Sequence, residues 1–274
     1  VIVEYYNQYG SCLLYKFTDK DTYWTPSGWM NGVLGVDGTK GYLVTPADEK
    51  YVGEQLDVIE KLWFSSYSDD FLKEFLPVKI MLCSEIDSVY VTWDFSVTPV
   101  QMKYLSQEVQ SWYNYDNICV SYGNIVVTQM TKEDSLAFRS SISRTFIESM
   151  IGRGKTAPTT EFGESANYDI SSSDMYTASK LWAAGIPQLV NSAISEDNDW
   201  KTFMMMMVLC PEEFLTRVPE YNSDWDSTSK NWDGILNPVK DVNGLLKKRY
   251  DMVRDYFIEN YNMDLQKVGN ILNR

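Results

Sequence analysis

The chain has 274 residues, 44% of them hydrophobic and 23% charged, which excludes the disordered and fibrous classes and leaves room for one large domain or two ordinary ones. With 24 basic against 38 acidic residues the net charge is −14, a field that repels phosphate backbones and speaks against nucleic-acid partners. The chain has no histidine, so a histidine general base, a serine–histidine or cysteine–histidine pair and any His-ligated zinc are all excluded. Carboxylates, Lys, Tyr, Ser and Cys are what remain for chemistry.

Residues 11–17 (SCLLYKF) have the apolar run of a buried strand, and 19–46, rich in Gly, Pro, Thr and Asp, read as a long irregular loop. Val52, Leu56, Ile59, Leu62, Trp63, Phe71, Leu72 and Phe75 recur at three- and four-residue spacing, which predicts a helix over 49–76, broken near Ser65. Strands are expected at 78–84 and 88–95, and a hairpin pairs 117–122 with 124–129 around Gly123-Asn124. Thr131-x-x-Asp134 starts a helix, because Thr accepts from the first turn and the carboxylate faces its free N–H groups; it runs to about Ile151 and ends at Gly152. Its Ile142, Phe146 and Met150 share one face and should point into the core. Further helices are predicted at 173–184, 196–210, 238–260 and 264–273, with polar connections at 152–172 and 219–237. The expected class is α+β: a small sheet with helices in the first half (1–130) and a mainly helical second half (131–274), forming one compact unit.

Several motifs have plainer explanations than chemistry. Gly152-Arg153-Gly154-Lys155-Thr156 lacks the first glycine of a phosphate loop, which is Ser149 here, and follows a helix instead of a strand. Asp224-x-Asp226 has Ser229 and Ile235 where a calcium loop needs Gly and Glu. The pairs Glu196-Asp197 and Glu212-Glu213 follow Ser195 and Pro211, as first-turn carboxylates do. Met204 to Met207 cover every side of a helix turn and read as a buried helix. Cys12, Cys83, Cys119 and Cys210 show no Cys-x-x-Cys spacing, and the first three sit in strand-like segments, so they read as apolar fillers instead of a disulfide framework. Tyr221, Trp225 and Trp232 lie in a polar loop, where aromatic rings either close over the core or stack on a ligand. The longest apolar run, Phe203 to Cys210, is too short to span a bilayer.

Four segments in the same order resemble a family of zinc-binding metallopeptidases, the substrate-import-associated zinc metallohydrolase lipoproteins. They are FLKEFLPVKIMLCSE, FRSSISRTFIESMI, LWAAGIPQLVNSAISEDNDWKTF, and Trp232 with the later GLLKKRYDMVRDYFIENYNMDLQKV. The resemblance spans nearly the whole chain and implies a zincin-like fold. In such a family two His one helical turn apart hold the metal, a Glu between them is the base, and a third ligand comes from a later helix. Here the resemblance puts Arg144 and Glu148 at the two His places, Thr145 at the Glu place and Thr202 at the third-ligand place. That set cannot rebuild a zinc site, so neither a metal nor any other cofactor is expected. Arg144 and Glu148 are instead expected to pair with each other, or with a residue such as Asp199, across the vacated position.

The resemblance further implies an exported surface lipoprotein on the outer membrane. It would meet the membrane only through an N-terminal lipid anchor removed before Val1, and would work beside a nutrient-import complex. Three functions stay open on the sequence: an inactive, binding or accessory protein whose cleft takes a peptide or glycan, with Tyr221, Trp225 and Trp232 as contacts; a hydrolase that uses a facing carboxylate pair; and a structural partner with no ligand pocket.

Overall fold

The computed structural model describes residues 2–29, 41–187, 194–224 and 232–271. It is an α+β protein whose chain divides into two compact units, residues 1–153 and 154–274. The division falls after the long helix expected to open the second half, not before it at residue 130. The reason is packing: that helix buries Phe138, Ile142, Phe146, Ile147 and Met150 completely, and Phe146 meets the rings of Trp63, Tyr67 and Phe71 at 5.2–5.8 Å, all within the first unit.

The first unit contains α1 (Ile2–Tyr9), β1 (Cys12–Leu14), α2 (Asp19–Tyr23), β2 (Trp24–Thr25), β3 (Gly28–Trp29), β4 (Gly41–Pro46), α3 (Val52–Leu62), α4 (Asp69–Phe75), β5 (Lys79–Asp94), β6 (Gln101–Glu108), β7 (Ser111–Tyr113), β8 (Asn117–Val120) and α5 (Lys132–Gly152). The central strand is β5. Its first residues lie between β1 and β8, both parallel to it, and β7 closes that side antiparallel to β8. Its remaining length pairs antiparallel with β4 and β6. The two strands expected at 78–84 and 88–95 are therefore one. Polar Ser84, Glu85 and Asp87 look like a break in the sequence, but this stretch is half-solvated antiparallel sheet, where polar residues alternate with Ile86 and Val89.

Within the expected loop over 19–46, the described residues form regular elements. Thr18 and Asp21 form a capping box that starts α2, with the Thr18 N–H and hydroxyl both donating to Asp21 Oδ2 at 2.9 Å. A short hairpin, β2–β3, and the strand β4 follow.

The hairpin expected at Gly123-Asn124 does not form. Tyr122 turns the chain with φ 75°, and the Gly123 N–H donates to the Cys83 carbonyl at 2.7 Å while its own carbonyl accepts from Asp48. A Cβ on residue 123 would collide with Ala47 and that Cys83 carbonyl, so only glycine passes so close to the sheet. Asn124 then accepts from the Val126 N–H and starts a turn of 3₁₀ helix over Ile125–Gln129 in place of a strand.

The second unit is helical: α6 (Thr160–Glu164), α7 (Ala178–Ala183), α8 (Glu196–Leu209), α9 (Glu212–Thr216), α10 (Leu245–Tyr261) and α11 (Gln266–Ile271). As the sequence indicates, Met204 to Met207 are buried all round α8, and Glu196 and Glu212 fall in first turns. The helix expected from residue 238 starts only at Leu245, because Gly244 takes φ 73° and the Asp241 carboxylate accepts from the N–H groups of Leu246 and Lys247. The helix expected at 173–184 is split into a 3₁₀ turn, Asp174–Tyr176, and α7. Among the described residues no helix is long and apolar enough to cross a membrane.

Candidate functional site

A cleft of about 1090 Å³ opens in the first unit between α5 and the edge strand β7. Its walls are the β2–β3 hairpin, Tyr42 of β4, every residue from Val109 to Tyr115, and Ser141, Arg144, Thr145, Glu148, Gly152 and Arg153 of α5 and its end. Of the four residues at the family's metal and base places, Arg144, Thr145 and Glu148 therefore share one cleft wall.

The local sequence explains why α5 presents them there. The Thr131 N–H donates to Asp134 Oδ2 at 2.9 Å and the Asp134 N–H donates to Thr131 Oγ1 at 3.1 Å, which fixes where the helix begins. These bonds hold the Asp134 carboxyl below the usual carboxylate range, the backbone N–H of Thr131 acting most strongly and its hydroxyl next. At the other end a Cβ on Gly152 would lie 3.1 Å from the Tyr113 ring, so glycine lets α5 approach β7 closely. Arg153 then turns back, donating to the carbonyls of Phe75, Leu76 and Ser149. Burial pushes its guanidinium down to about 10, which still leaves it charged at neutral pH.

The floor of the cleft is a row of hydroxyls. Ser111 Oγ lies 2.8 Å from both Ser141 Oγ and Thr145 Oγ1, joining β7 to α5. Thr145 is buried and bonded, Glu148 is half-buried and Arg144 is exposed. Arg144 and Glu148 do not close the expected ion pair, and among the described residues neither has a salt-bridge or hydrogen-bond partner. Glu148 faces Tyr113 instead: burial first, then the Glu148 charge and Tyr42, raise the Tyr113 phenol above its ordinary value. The aromatic part of the wall is the Tyr42–Trp112 stack, with ring centroids 4.7 Å apart and planes 17° apart. Tyr115, half-exposed at the rim, meets Trp24 edge to face at 5.8 Å. None of these rings is singled out by periodicity or motif. The only advance signal is the local aromatic density of SWYNY.

Zinc does not fit these residues. A guanidinium cannot donate a lone pair, the Thr145 hydroxyl is engaged with Ser111, and among the described residues Glu148 is the one carboxylate in the lining. Among the described residues no group of three or more Cys, Asp or Glu converges at metal distance. A carboxylate-pair hydrolase is equally unsupported, since among the described residues the cleft offers Glu148 alone. The carboxyl that is raised, Glu108, is lifted by burial and by Glu85 and Asp87, and it lies opposite Asp87 on the β5–β6 ribbon, outside the cleft.

In the second unit, Thr202 lies on α8 with its hydroxyl donating to the Asn198 carbonyl at 2.7 Å. Asp199, considered above as a partner for Arg144 or Glu148, is fully buried and committed to Arg249 at 2.7 Å and to the Tyr168 hydroxyl at 2.8 Å. Tyr221 is exposed and Trp232 half-buried; Trp225 lies outside the described residues.

A solved structure from Bacteroides caccae, described as a "putative zinc-binding metallo-peptidase", is similar to this chain at 9% identity and a TM-score of 0.47, covering 100% of this chain and 88% of that one. No protein-family model matches the chain, and no curated protein does. Likeness of that size speaks of neither activity nor ligand.

Proposed function

We propose that the chain is a catalytically inactive relative of zinc metallopeptidases with a zincin-like fold, and that it works as a binding or accessory surface lipoprotein beside an outer-membrane nutrient-import complex. The observation that supports this reading is an open cleft lined by Arg144, Thr145 and Glu148, the residues to which the resemblance assigns two zinc ligands and a base. An open cleft that cannot hold the metal favours binding over metal-assisted hydrolysis, and its openness also disfavours a purely structural role. The ligand is a peptide or a glycan.

The test is elemental analysis of the purified protein after dialysis against a weak chelator, together with a peptide-hydrolysis assay in the presence of added zinc. The expected result is no stoichiometric zinc and no turnover. Retained zinc, or hydrolysis abolished by a strong chelator, overturns the reading.

A further inference from the structure

We propose that the cleft between α5 and β7 is a carbohydrate site that takes a neutral oligosaccharide. This rests on the reading of that cleft as the ligand site and names the chemical class of what fills it.

Three features of the wall point to a polyol. The first is the pairing of flat apolar surface with dense polar edge. Tyr42, backed by the buried Trp112, lines the cleft with the half-buried Tyr113 and the exposed Tyr115, rings of the kind that stack on the C–H side of a pyranose. Around these rings the lining carries hydroxyl and amide side chains, including Thr25, Ser27, Gln110, Ser111, Ser141 and Thr145, with Val109 and Pro26 as its aliphatic part.

The second feature is charge. Arg144 and Glu148 stand one helical turn apart, without an ion pair among the described residues. A guanidinium and a carboxylate are planar, two-pronged groups, one donating and one accepting, and each matches a pair of adjacent ring hydroxyls. Arg153 is occupied by the carbonyls of Phe75, Leu76 and Ser149. Arg153 keeps its charge but its donors are engaged, so the charged groups left to bond a ligand are one donor fork and one acceptor fork, a combination that suits the hydroxyls of a neutral sugar.

The third feature is size. At about 1090 Å³ the cleft is larger than the roughly 300–1,000 Å³ of a small-molecule pocket, so it takes several sugar units and not a monosaccharide. Among the described residues Glu148 is its one carboxylate, so the cleft binds the chain without the second carboxylate that hydrolysis needs.

The experiment is affinity electrophoresis of the whole chain through gels containing soluble neutral polysaccharides (a starch, a xylan, a mannan and a mixed-linkage β-glucan), beside a gel without polymer. Fluorescence polarisation with a labelled mixed-peptide library is run in parallel. At least one polysaccharide is expected to retard the protein. Affinity should fall about tenfold in Tyr42→Ala, which removes a stacking face, and in Glu148→Gln, which keeps shape and loses charge. The Gln variant guards against a Tyr42→Ala protein that misfolds. No retardation by any polymer overturns the proposal, as does retardation that neither variant weakens. Binding of peptides with no glycan retained sinks the carbohydrate assignment and leaves the inactive-relative reading standing. Zinc-dependent hydrolysis sinks that reading instead.

Discussion

The cleft wall of the first unit and the core of the second treat the same chemical groups in opposite ways. In the second unit Arg249 is fully buried, and every prong of its guanidinium is occupied. It donates to Asp199 at 2.7 Å, to Ser165 at 3.0 Å, and to the Gly185 carbonyl and the Tyr168 hydroxyl, while its flat face lies 4.1 Å from the centre of the Phe162 ring. In the first unit Arg144 and Glu148 sit on a packed helix with none of this. The buried pair had to be neutralised inside the protein, since an unpaired charge in that core would cost several kcal/mol. The cleft pair faces water and bears no such demand, so its charges remain available to something outside the chain.

The largest expected effect tests the first half of that contrast. Arg249→Ala leaves Asp199 buried without its cation and should destabilise the second unit by about 3–5 kcal/mol, read as the midpoint of a denaturant melt. A loss below about 1 kcal/mol would mean the network is more solvated than its burial implies. Next, Glu148→Ala should change stability by no more than about 0.5 kcal/mol, because it breaks no ion pair. A clear loss in the melt would reveal a partner for Glu148 and close the distance between the two regions.

The smallest effect concerns the helix that carries the cleft wall. Asp134 has a lower carboxyl pKa in the folded chain than in the unfolded one, held down by the Thr131 N–H and hydroxyl. Its contribution is therefore complete above the unfolded value of about 3.9 and fades as pH falls through the folded value. Melting curves of the parent and Asp134→Asn between pH 7 and pH 2 should differ at the upper end and converge at the lower. A difference that persists at pH 2 would assign the effect to something other than the carboxylate.

What the sequence made legible follows from how local the cause is. The capping box at Thr131, the four-residue spacing of Ile142, Phe146 and Met150, and the break near Ser65 are all contained in one or two helical turns, and each appears in the fold as read. The strand β6 was missed because nearly all its residues are exposed on both faces, which erases the alternation that marks a strand. The turn at Gly123 was misassigned because what decides it, the Cys83 carbonyl and Ala47, is distant in sequence. The cleft was half visible: resemblance pointed to Arg144, Thr145 and Glu148, but the facing wall comes from residues 25–28, 42 and 109–115, which only the sheet brings together. Arg249 offered no signal, since its carboxylate lies fifty positions earlier.

The β5–β6 ribbon has a consequence for how the protein behaves when concentrated. Val89 is the last of its residues that pairs with the described part of β4, residues 95–102 carry no ionisable side chain, and Trp93, Phe95 and Tyr104 are 54%, 78% and 59% exposed. The rest of the chain bears the −14 charge, which holds molecules apart in dilute buffer. Salt shortens the reach of that repulsion to about 10 Å at 0.1 M and about 3 Å at 1 M, while leaving the attraction between apolar ribbons intact. Light scattering is therefore expected to show association through this ribbon growing as salt is raised from 0.1 M towards 1 M.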